Sequence, residues 1–225
     1  MRNRSRVPKR PLSTAQFHRI EKRARGFFED ARGSHDRGHA ERVLQLCLRI
    51  GRREGANLDV LRLAAVLHDI GRAREDRSDG VTCHAEAGAA MARRILAKHG
   101  IPEKTAEHVV RCIRTHRFRK GGTPATKEAM ILFDADKLDS IGAVGIGRAF
   151  LFAGEVGARL HNKDIDIRKA KSYSKEDTAY REYHVKLSKI KDRMFTREGK
   201  RIAAERHRCM VGFFKRLNRE VDGRL

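Results

Sequence analysis

Tryptophan is absent from this 225-residue chain, proline occurs four times and tyrosine three times. With so few prolines and few runs of β-branched residues, little breaks a helix and little favours a sheet. Long hydrophobic runs are missing as well. The longest, such as Leu63 to Leu67, fall far short of the roughly 20 apolar residues that a membrane-spanning helix needs. The reading is therefore no membrane span and no secretory hydrophobic segment. Cysteine is sparse: Cys47, Cys83, Cys112 and Cys209 are widely separated, with no C-x-x-C pair. Neither a disulfide framework nor a thiolate zinc site is signalled, and a reducing, cytoplasmic setting fits. Negative charge is also in short supply, since 51 Lys and Arg against 29 Asp and Glu leave +22. A field of that sign concentrates nucleotides, nucleic acids or anionic lipid near a surface. Charge alone names no site, and solubility with weak, non-specific nucleic-acid binding accounts for it.

What the chain does have is helical period. Apolar residues recur three and four apart almost throughout, no alternating strand pattern is present, and the fold class read from this is all-α, a single-domain multi-helix bundle. Residues 1–11, with Arg2, Arg4, Arg6, Lys9 and Arg10 and no apolar face, read as a disordered basic arm. Residues 12–225 read as one helical domain, with a core at about 35–140 and a helical extension at about 141–222. The first helix starts from a Ser13 or Thr14 cap and ends at Gly33-Ser34. A second runs from about His35 to Arg53, with Val43, Leu46, Cys47 and Ile50 on one face. Asn57 caps a third, which Gly71 closes as a left-handed C-cap. Residues 72–81 read as a charged loop. Further helices are expected at about 82–99, from Pro102 to about 118, from about 126, within the Gly-rich 140–157, and at about 178–195 and 197–221. Residues 161–178 read as a polar excursion.

Several polar groups sit where these helices should be oily. His39 lies four residues before Val43 on the second helix, and His35 is a turn earlier on the same stripe. His68 lies four after Ala64 on the third helix, and Asp69 is the next position round. Asp136 follows Phe133 by three residues. A single buried histidine is more often a hydrogen-bonded core residue than a ligand. A buried carboxylate, however, is expensive unless paired, hydrogen-bonded or bound to a metal, and four such groups on three helices call for a shared partner.

The order His39 in "HAERV", His68-Asp69 in "VLHDIGR" and Asp136 in "DADKLD" resembles the H…HD…D signature of the HD-domain metal-dependent phosphohydrolases. "HDRGH" (35–39), "THRFRKGG" (115–122), "DADKLDSIGAVGIGRAF" (134–150) and the C-terminal stretch 183–214 are similar to a group of small bacterial and archaeal HD hydrolases that includes nucleotide pyrophosphohydrolases. Arg37-Gly38 stands where that group often carries an aromatic pair. The resemblance covers nearly the whole chain after the basic arm. It implies His39, His68, Asp69 and Asp136 as ligands of a divalent transition metal, manganese first, then iron, cobalt, nickel, zinc or magnesium. Asp69 would also orient the attacking water. His84 and His116 are either ligands of a second metal or contacts to substrate, and His35 and Asp36 either support the ligands or line the pocket.

Phosphates need cations, and Arg42, Arg72, Arg117, Arg119, Lys120 and Lys137 neighbour the motifs. Lys137 and Arg117 are taken as catalytic alongside Asp69, and Arg42 alternatively as the partner of a carboxylate. The function implied is a metal-dependent phosphohydrolase acting on nucleotides or related phosphoesters, with triphosphates cleaved to monophosphate and pyrophosphate as the specific expectation. The alternative, motivated by the charge of +22 and the basic arm, is a nucleic-acid-binding protein or nuclease on the same scaffold.

Overall fold

The computed structural model describes residues 11–28, 37–78, 81–117 and 122–224. The expectations for the arm at 1–10, for Gly33-Ser34, for His35 and Asp36, and for Arg119 and Lys120 lie outside them. Among the described residues there is no strand. The helices are α1 (Thr14–Arg25), α2 (Arg37–Glu54), α3 (Leu58–Leu67), α4 (Arg72–Arg77), α5 (His84–Lys98), α6 (Glu103–Arg114), α7 (Lys127–Asp139), α8 (Gly142–Glu155), α9 (Ala179–Val185) and α10 (Arg197–Val221), with a 3-10 helix at Leu187–Arg193 between the last two. The all-α expectation holds.

Local chemistry fixes the starts. Ser13 and Gln16 form a reciprocal capping box on α1, and Asn57 accepts from the Asp59 and Val60 amides to open α3. Thr126, Thr178 and Thr196 cap α7, α9 and α10, each satisfying an amide that has no partner within its helix. The α2 face read from the sequence, Val43, Leu46, Cys47 and Ile50, is buried in one core with Leu61, Leu63 and Leu67 of α3 and Ile131, Leu132 and Leu138 of α7, the two helices on which α2 packs. Helix α5 pairs with α6, and α8 with α10.

Four boundaries differ from the sequence reading. Helix α1 stops at Arg25, capped at Gly26. Helix α3 stops at Leu67, and Gly71 has φ −86°, so it is not a left-handed cap. Its glycine serves close approach instead: a Cβ there would lie 2.3 Å from the His84 carbonyl oxygen and 2.6 Å from the Gly88 nitrogen. The charged loop begins as a helix, α4, none of whose residues is fully buried. Ion pairs three residues apart, Arg72 with Asp69 at 3.3 Å and with Glu75 at 3.2 Å, and packing on α5 supply what an apolar stripe would otherwise provide. The helix expected at 178–195 breaks at Lys186, whose φ −136° and ψ −58° leave the α-helical region.

The polar excursion at 161–178 has no helix, but it is anchored. Asn162 is fully buried, donates to the Glu176 carbonyl at 2.9 Å and accepts from the Thr178 hydroxyl at 2.6 Å.

Candidate metal centre

Helix α2 brings His39 into the core in its first turn, the end of α3 brings His68 and Asp69, and α7 brings Asp136. His39, His68 and Asp69 are almost completely buried. Between the rings, Nε2 of His39 and Nε2 of His68 are 3.3 Å apart. The Asp136 Oδ1 lies 3.4 Å from Nε2 of His39, and Asp69 Oδ2 lies 3.8 Å from both rings. A second pair of rings lies alongside: His84, from the start of α5, and His116, just past α6, have Nε2 atoms 3.2 Å apart. The other Asp69 oxygen, Oδ1, is 3.3 Å from His84 and 3.5 Å from His116. Among the described residues, His39, His68 and Asp136 form one group able to hold a metal, and Asp69, His84 and His116 a second.

The far nitrogen of every ring is engaged. His68 Nδ1 donates to the Ala65 carbonyl at 2.7 Å and His116 Nδ1 to that of Ile113 at 2.6 Å. His39 Nδ1 bonds Asp139 at 2.8 Å, and His84 Nδ1 bonds Glu75. A neutral imidazole that donates from Nδ1 exposes a lone pair at Nε2. The four Nε2 atoms face one another in pairs 3.2 and 3.3 Å apart, so that two neutral rings repel unless a cation or proton lies between them. Carboxylate-anchored rings of this kind are the usual support of metal-bound histidines, so the donor set fits a divalent cation.

Electrostatics divide the rings. Burial pushes His68 and His84 down to about 4, which keeps both neutral and able to donate a lone pair. For His39 burial acts in the same direction but is outweighed by the hydrogen-bonded carboxylates of Asp136 and Asp139, which raise it to about 9. Burial works against ionising Asp69 and Asp136, yet Arg72 holds Asp69, and Lys137 and His39 hold Asp136, well below the usual carboxylate range.

Asp139 and Glu75 were not singled out in the sequence. Asp139 accepts from His39, from Arg42 at 2.7 and 3.0 Å, and from Arg148 at 2.8 Å. Its only advance signal was its place three residues after Asp136 on one helix face. Glu75 holds His84, Arg72 and, at 2.8 Å, Arg117. Arg117 thus pairs with the carboxylate behind His84. Lys137 lies 2.6 Å from Asp136.

A cavity of about 800 Å³ opens beside Asp136 and Lys137. Arg72, Arg77, Arg148 and Lys186 line it, with Phe27, Phe28, Phe152 and Tyr173. Among the described residues, Nε of Arg72 and Nε of Arg148 are buried nitrogens with no hydrogen-bond partner.

Helices bringing H…HD…D together define a class, and comparison with known proteins bears on it directly. The HD-domain family model matches residues 37–141. The uncharacterized protein YpgQ of Bacillus subtilis is 32% identical over 212 residues, 92% of this chain and 95% of that protein. The crystal structure of YpgQ in complex with ADP superposes with a TM-score of 0.73 at 28% identity, covering 92% of this chain and 98% of that one. An HD-superfamily hydrolase from Bacillus thuringiensis gives 0.73 at 25% identity, with 92% and 97% covered. This chain belongs to the HD-domain family. It is a metal-dependent hydrolase of that superfamily.

Proposed function

We propose that the protein is a nucleotide phosphohydrolase, and specifically that it cleaves nucleoside triphosphates to monophosphate and pyrophosphate. The carrying observation is the cavity itself, which brings the side chains of Arg72, Lys137 and Arg148 to the space beside Asp136. Phosphate oxygens are the acceptors that guanidinium groups match best. Arg72, Arg77, Lys137, Arg148 and Lys186 around the cavity supply enough positive charge for several phosphates. The YpgQ complex with ADP supports a nucleotide over a smaller phosphoester.

His39, His68, Asp69 and Asp136 are the proposed ligands of one ion, with manganese favoured by the mixed imidazole and carboxylate set. The split of the Asp69 oxygens between two histidine pairs favours assigning His84 and His116 to a second ion. A divalent cation bound there supplies Lewis acidity toward a phosphoryl oxygen and acidifies water toward neutrality. Asp69, ionised and held by Arg72, orients that water. Lys137 and Arg148 hold the polyphosphate against the site, and Arg117 acts on it indirectly, by fixing Glu75 behind His84. Cys47, Cys83, Cys112 and Cys209 are all free thiols, which supports the proposed cytoplasmic setting.

The test is product identification with manganese and a nucleoside triphosphate panel. Monophosphate and pyrophosphate in equal amounts are expected, and Arg148→Ala should lower kcat/KM by about tenfold to a hundredfold, the loss of one charged hydrogen bond. Release of single orthophosphates from a triphosphate, or an Arg148→Ala protein with wild-type kinetics, contradicts the proposal.

A further inference from the structure

We propose that Phe152 and Tyr173 form the nucleobase platform of the cavity; the inference rests on the nucleotide reading above. On α8, the residues lining the cavity are Gly145, Arg148, Ala149, Phe152 and Glu155, a single face of the helix. Arg148 is tied to the metal end through Asp139 at 2.8 Å. Phe152 lies one turn farther on, and Glu155 about 10 Å beyond Arg148 at 1.5 Å per residue. Along one wall the order is therefore guanidinium, aromatic ring, carboxylate. The Glu155 charge repels phosphate from its end and so directs a polyphosphate toward Arg148. The ring between them faces the part of a nucleotide that carries a π surface.

Tyr173 completes the platform from the opposite chain segment. Its ring stands edge-on to Phe152, with centroids 5.7 Å apart, yet 78% of the residue is exposed. A large aromatic contributes little to the fold from that position. Among the described residues it is also the non-glycine residue with positive φ, at 57°, a conformation that costs energy in a bulky side chain. The backbone is held there deliberately: the Tyr173 amide donates to Asp177 at 2.7 Å, and Asp177 is fixed by Arg181 at 2.8 Å, both largely buried. An exposed ring presented at a strained position by a buried ion pair, over a cavity with a second ring, is a stacking surface for a base.

The test compares ADP with inorganic pyrophosphate, which has no base, by calorimetric titration of manganese-loaded protein. Wild type should bind ADP more tightly than pyrophosphate. Tyr173→Ala should weaken ADP by about tenfold or more, in line with the usual value of stacking one base, and pyrophosphate by less than about twofold. Tyr173→Phe should retain ADP binding. Equal losses for both ligands, no loss for ADP, or loss in Tyr173→Phe as well overturns the platform, as does a wild type that binds ADP no better than pyrophosphate, while hydrolysis of triphosphates then still stands. A metal-loaded wild type that binds neither ligand and hydrolyses no nucleotide overturns the nucleotide reading itself, and the platform with it.

Discussion

Each ring of the site is held through the nitrogen that faces away from it, and the sequence displayed the rings better than their holders. His39, His68 and Asp136 were legible because each interrupts an apolar stripe at helical spacing. Asp139 follows Asp136 by three residues on α7, and Glu75 lies in a charged segment with no apolar stripe to mark it. Their roles depend on partners a hundred and nine positions away respectively, which periodicity does not encode. Within "DADKLD" the three carboxylates diverge: Asp134 turns toward the Thr196 end of α10, Asp136 to the cavity, and Asp139 to the back of His39. Asp139→Asn should lower metal affinity by about tenfold to a hundredfold, the usual effect of losing such a support, as read by competition with a chelator. The same substitution has a pH signature. His39 and Arg42 hold Asp139 down to about 2 against the opposing effect of burial, from an ordinary 3.8. A depressed carboxylate stabilises the fold above its unfolded value and ceases to do so as pH falls toward its folded one. In metal-free protein, the gap in unfolding free energy between wild type and variant should therefore narrow by about 2 kcal/mol between pH 4 and pH 2. A pH-independent gap contradicts the assignment.

Helix existence followed from periodicity, and two helix starts from the caps read at Ser13 or Thr14 and at Asn57. The misread elements are those shaped by tertiary contact. Gly71 looked like a cap because glycine after an apolar helix usually is one. Its actual constraint is the backbone of α5, which passes close enough that only a hydrogen fits, and this sets His84 beside Asp69. Helix α4 lacked a stripe because ion pairs hold it, and so it read as loop. A comparable tertiary tie joins α7 to α10. The buried Asp134 accepts from the Phe195 amide at 2.9 Å, the Thr196 amide at 2.8 Å and the Thr196 hydroxyl at 2.6 Å. Gly199 lets it in, since a Cβ there would fall 2.3 Å from its Oδ2. Asp134→Ala should cost about 2–4 kcal/mol by leaving buried donors without an acceptor, measured by urea unfolding, with metal content unchanged. Loss of metal at unchanged stability would move Asp134 from the scaffold to the site.

Across the molecule, the HD match at 37–141 contains the proposed ligands, while much of the cavity wall comes from beyond it, from Gly145 to Ile190. The C-terminal helices thus do more than extend the bundle: they shape the space beside Asp136 and Lys137. No helix among the described residues is long and apolar enough to cross a membrane. A net charge of +22 concentrates anions near a surface, and the nucleic-acid alternative rests on that charge and the basic arm alone. The central claim is that the two histidine pairs and the carboxylates Asp69 and Asp136 exist to hold catalytic cations. The most direct measurement is metal content by mass spectrometry, on wild type and on the His68→Ala/Asp69→Ala double variant after manganese reconstitution, with nucleotide turnover on the same samples. The account predicts bound metal and hydrolysis in wild type and neither in the variant. A wild type that takes up no metal, or a metal-free variant that still hydrolyses nucleotides, would contradict it.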